Sequence, residues 1–118
     1  MVESIRELEV QMNVNPQDYE FNESHVSQVL IQLKEYGVNL DENSFIGFVS
    51  HVISLLKRLR DGEEMMDLGD DILSQINKES FDIAKKLGAI FEKDFNTTLN
   101  QSEIVLLAIH IQTALVKE

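Results

Sequence analysis

Apolar residues along this chain return every three or four positions, and almost nothing interrupts them. That recurrence is the period of an α-helix, not the two-residue alternation of a half-buried strand. There is one proline, Pro16, and no Asn-Gly or Asp-Gly turn sits between alternating apolar runs, so hairpins have no signal. The 118 residues leave room for one ordinary domain. The expected fold is therefore all-α, a single compact bundle of about five helices.

Local signals divide the pattern. A short amphipathic stretch, Val2 to Met12, uses Ile5, Leu8 and Met12 and stops before Asn15-Pro16, where helical backbone is disfavoured. Asn22 is expected to cap a second helix, with Phe21 and Val26 as a hydrophobic staple, ending at Gly37. Asp41 is expected to cap a third, Glu42 to Arg60, with Gly62 after it. Six acids crowd residues 61–71 (Asp61, Glu63, Glu64, Asp67, Asp70, Asp71), and a short helix is expected from Leu68 to Ile76. Another runs from near Ser80 to Phe95. The last starts at Asn100, where Glu103 three residues on completes a variant capping box, and ends at Val116.

Composition removes several function classes. The 21 acids against 10 bases give a net charge of −11, opposite to what a phosphate backbone attracts, so direct nucleic-acid binding is not expected. There is no cysteine, hence no disulfide, thiolate metal site or cysteine nucleophile. The start, MVESIRELEV, lacks a basic and apolar leader, and the most apolar run, Ile104 to Ile111, is far short of the roughly 20 residues of a membrane span. A cytoplasmic protein without membrane contact is expected.

Two of the three histidines stand out. Phe45, Val49, Val52, Leu56 and Leu59 form an apolar stripe, and His51 borders it. Arg58 follows seven residues later, only about 20° round the helix. In the last helix His110 interrupts an almost wholly apolar surface, and Glu103 lies seven residues earlier, again about 20° away. Either the two histidines are core residues satisfied by hydrogen bonds, or their nitrogens meet an outside partner. The second reading suits imidazole, which is nucleophilic and half-neutral near physiological pH. Arg58 then pairs with a phosphoryl group and Glu103 orients an imidazole. His25 falls in the first turn of its helix and is expected on the surface.

Other chemistries lack their residues. There is no His-x-x-x-His or Glu-x-x-His pair, so no metal or cofactor is expected. Ser50 beside His51 points about 100° away on a helix and forms no hydrolytic pair. DGEEMMDLGDD lacks the ligand spacing of an EF-hand, and no phosphate-cradling glycine loop occurs. Met12, Met65 and Met66 read as gap-fillers or surface residues. No enzymatic constellation is visible.

The string FIGFVSHVISLLKRL resembles the first histidine motif of the PTS regulation domain (PRD). The string ESFDIAKKLGAIFEKDFNTTLNQSEIVLLAIHIQTAL resembles the second half of that domain, where a Glu-Ile pair precedes the second histidine. The resemblance runs from about Phe21 to the end of the chain. It implies a five-helix bundle with residues 21–118 as the PRD core and 1–20 as an N-terminal extension or short helix.

It also implies a regulatory domain of a sugar-responsive transcription activator or antiterminator. His51 and His110 are the implied phosphoacceptors, with Arg58 and Glu103 in support. The implied donors are the histidine-containing phosphocarrier or sugar-transporter components, and the implied response is a change in homodimerisation. A helical dimerisation module with structural histidines and no phosphorylation is the alternative.

Overall fold

The computed structural model describes residues 2–63 and 67–116. Among them it has six α-helices and no strand: α1 (Val2–Gln11), α2 (Tyr19–Glu35), α3 (Glu42–Asp61), α4 (Asp70–Leu73), α5 (Lys78–Phe95) and α6 (Gln101–Val116). The all-α expectation holds. The readings made for Glu64, Met65 and Met66 lie outside the described residues.

Several helix ends follow the local signals. Asp41 accepts the Ser44 N–H at 2.8 Å and starts α3. Gly62, at φ 72°, ends it in the left-handed conformation that carries little strain without a Cβ. Asn100 accepts the Ser102 N–H at 2.7 Å and starts α6.

Others differ. Asn22 does not cap α2; it lies inside that helix, buried, and accepts a 2.7 Å bond from Arg60 Nη2. The start signal is Asn15-Pro16 instead. Asn15 accepts the Gln17 N–H at 3.0 Å, and a 3-10 turn over Pro16–Asp18 feeds straight into α2. α4 is shorter than expected because Gln75 and Ile76 close turns onto Ile72 and Leu73. Asn77 accepts the Ser80 N–H at 2.8 Å and begins α5 at Lys78, ahead of the expected start. Glu103 closes no capping box; its carboxylate is turned towards α3.

α6 is apolar nearly all round because it is the central element. Ile104, Val105, Leu107, Ala108, Ile111 and Ala114 are all buried. It pairs antiparallel with α5, and a Cβ at Gly88 would meet Ile104 Cδ1 at 2.6 Å, so glycine permits the close approach. On its other side α6 meets α3, whose Phe48, Val52, Leu55 and Leu56 are fully buried. Each such side chain contributes roughly 1.5–3 kcal/mol by leaving water. Ile5 and Leu8 of α1 enter the same core, which ties the first segment to the bundle. The Cα radius of gyration, 13.6 Å, is that of one close-packed domain of this length.

Candidate functional site: a histidine pair between α3 and α6

The antiparallel contact of α3 with α6 brings the two lines expected from the sequence face to face. His51 and His110 meet with ring centroids 5.6 Å apart and planes tilted by 34°. One end of the pairing is Arg58, which donates from Nε and Nη2 to Glu103 in two bonds of 2.7 Å each. Such a bidentate clamp fixes both side chains in one plane. Between the two, His51 Nε2 lies 3.3 Å from Glu103 Oε1. All four residues therefore form one connected group. The partners are not those within each helix: Arg58 binds Glu103 across the interface, and Glu103 contacts His51 rather than its own line's His110.

Electrostatics fix the protonation of Glu103. Burial pushes its carboxyl upwards, but the bonds from His51 and Arg58 outweigh burial and hold it below the ordinary carboxylate range. Glu103 is thus an acceptor only, and the contacting Nε2 of His51 carries the proton. In the uncharged form of the His51 ring the lone pair then lies on Nδ1, which is buried with no hydrogen-bond partner among the described residues.

His110 is half-buried and stands edge-on to Phe48 at 6.5 Å between centroids. Burial, and then the neighbouring His51, lower its pKa below the ordinary imidazole range, so it is neutral at pH 7. Neutral imidazole is the nucleophilic form.

Nearby cations are otherwise engaged. Lys57 pairs with Asp61 at 3.0 Å, and Arg60 reaches Asp18 at 3.4 Å as well as Asn22. Beyond Arg58 and Glu103 the surface opens into a cleft of about 320 Å³ bordered by Asn96, Thr97 and Asn100. Sequence periodicity gave no hint of this 96–100 loop, because it enters the site only through tertiary packing.

His25 is not the surface residue expected. It is half-buried, with Nδ1 3.1 Å from the Phe21 carbonyl oxygen and Nε2 2.8 Å from Asp94 of α5. It lies outside the histidine pair. Among the described residues no cluster of three or more His, Asp or Glu side chains is arranged to hold a metal ion. No helix among them is long and apolar enough to cross a membrane.

The family model described as the PRD domain matches residues 27–114, a stretch that contains both histidines, Arg58 and Glu103. Among solved structures, the chain is similar to a PRD-containing transcription regulator from Lactobacillus casei ATCC 334. The TM-score is 0.76 over 96% of each chain, and at 18% identity the likeness is one of fold. No curated protein matches the chain. With the match spanning most of the bundle and the whole α3–α6 contact, this chain belongs to the PRD domain family.

Proposed function

We propose that this PRD is the regulatory domain of a sugar-responsive transcription regulator, and that it accepts phosphoryl groups on His51 and His110. The observation that carries the reading is the convergence of the two rings, 5.6 Å apart, beside an ionised and clamped carboxylate. The donor is a phosphohistidine on the histidine-containing phosphocarrier or on a sugar-transporter component. A neutral imidazole nitrogen attacks the phosphorus, and the bond from phosphorus to the donor's nitrogen breaks. The donor ring, protonated at its other nitrogen, leaves with that electron pair as neutral imidazole, and the acceptor ring, now cationic, releases its N–H proton to water. His110 is the first acceptor, since it is neutral and half-exposed. His51 presents its Nδ1 lone pair once the buried ring is uncovered.

The consequence follows from charge. A phosphoryl group adds about 1.5–2 negative charges at pH 7. It arrives beside the Glu103 carboxylate on a chain already at −11. The phosphate competes for Arg58 and repels Glu103, which loosens the clamp between α3 and α6. Ile46, 43% exposed on α3, offers apolar surface for a second copy of the chain near this contact. Phosphorylation thereby alters homodimerisation in the cytoplasm, and the transcriptional output comes from a partner or further domain rather than from direct nucleic-acid contact.

Incubation with phosphorylated carrier tests the reading. Acid-labile label is expected on the parent, reduced in His110→Ala and His51→Ala, and absent from the double variant. Label that persists in the double variant, or none on the parent, contradicts it. One observation favours a second reading for His51: it is only 8% exposed and bonded to Glu103, as a structural histidine would be. In that case the module is a dimerisation unit. His51→Ala then changes stability or self-association, and the carrier has no effect on either.

A further inference from the structure

We propose that Gly47 is a positioning residue for His110: its missing side chain leaves the space on α3 in which the imidazole sits. A glycine inside a helix needs a reason, because it weakens the helix relative to alanine. Gly47 is well inside α3, and it is not among the glycines with positive φ, which are Gly37, Gly62 and Gly69. Backbone conformation therefore does not require it. What does is across the interface. A Cβ at position 47 would lie 3.2 Å from His110 Cε1 and 3.4 Å from His110 Nδ1, so the neighbour it would crowd on another helix is the His110 ring.

Position 47 is one turn before His51, so both face α6. The His110 ring is thus seated on Gly47, bordered by Phe48 edge-on and by His51. The seat sets how deep the ring lies and how near it comes to His51. Those are the two influences that keep His110 neutral. A methyl group at 47 pushes the ring off the helix, towards water and away from His51.

The importance of this seat for function rests on His110 being an acceptor, but the seat itself is measurable without any phosphoryl donor. In Gly47→Ala, the His110 titration midpoint followed by NMR is expected to rise, with the His25 signals unmoved. Unchanged His110 signals in the folded variant overturn the proposal.

Stability gives a second test that survives a poorly folded variant. In a His110→Ala background the crowding is gone, so Gly47→Ala is expected to raise Tm by roughly 2–6 °C, the ordinary helix gain. In the parent that gain is expected to vanish or reverse. An equal rise in both backgrounds overturns the proposal. A parent that never accepts label refutes the acceptor reading and leaves the seat standing.

Discussion

Removing either partner of the Arg58–Glu103 clamp isolates a charge inside the α3–α6 contact, and the two removals are expected not to add. In Arg58→Met, the Glu103 carboxylate stays where it is, with its residue only 4% exposed, and keeps the His51 contact alone. A buried charge stripped of its partner destabilises by about 3–5 kcal/mol. In Glu103→Gln the orphan is Arg58, whose side chain is 21% exposed and borders the cleft, so water takes over part of the lost bonding. That variant is expected to cost about 1–3 kcal/mol. The double variant buries no unpaired charge and is expected to be about as stable as Glu103→Gln, less destabilised than Arg58→Met alone. Urea unfolding at pH 7 with a common m-value measures the cycle. With the double variant no worse than Glu103→Gln, the coupling carried by the two 2.7 Å charge-assisted bonds equals the Arg58→Met cost, about 3–5 kcal/mol. Additivity within about 0.5 kcal/mol would refute the reasoning.

Other outcomes test other parts of the molecule. Glu9 is fully buried, and among the described residues its carboxylate accepts no hydrogen bond, Arg6 Nε standing 3.8 Å from Oε1; burial, and then neighbouring Glu23, raises its pKa from 4.5 to about 8. Its protonated form is the folded form, so the stability it contributes is full below pH 4.5 and is lost as pH rises to about 8. Glu9→Gln should flatten that loss, on the order of several kcal/mol, and an unchanged pH profile in urea melts would contradict it. Glu103 acts in the opposite sense: its stability is present above pH 4.5 and lost as pH falls through its lowered folded pKa, a loss that Glu103→Gln should abolish. Phe91→Ala empties a fully buried site and should cost about 3–5 kcal/mol in the same assay. Asn77→Ala removes the cap of α5 and should cost about 1 kcal/mol; no change would mean that the Ser80 N–H finds water instead.

Features set by neighbouring residues were legible in the sequence. The Asp41 cap, the left-handed Gly62 and the apolar girth of α6 each depend on residues within a turn or two of one another. The start of α2 differs from the local signal because Asn22 has the chemistry of a cap, while its amide oxygen is used by Arg60, 38 residues away. The site was half-legible for the same reason. Seven-residue spacing places His51 with Arg58 and Glu103 with His110, but only the antiparallel docking of α3 on α6 decides that Arg58 binds Glu103 and that the rings meet. The sequence around His25 points to the surface because Asp94, its partner, is 69 residues distant. Gly47 carries no local signal at all, since its reason lies on another helix.

The most direct measurement of the proposed role is an NMR spectrum of the three imidazoles, nitrogen-15 labelled, before and after phosphorylated carrier is added. Phosphorus coupling is expected on a nitrogen of His110, and on Nδ1 of His51 where the buried ring opens, with His25 unchanged. Coupling confined to His25, or no coupling on any ring, would contradict the account.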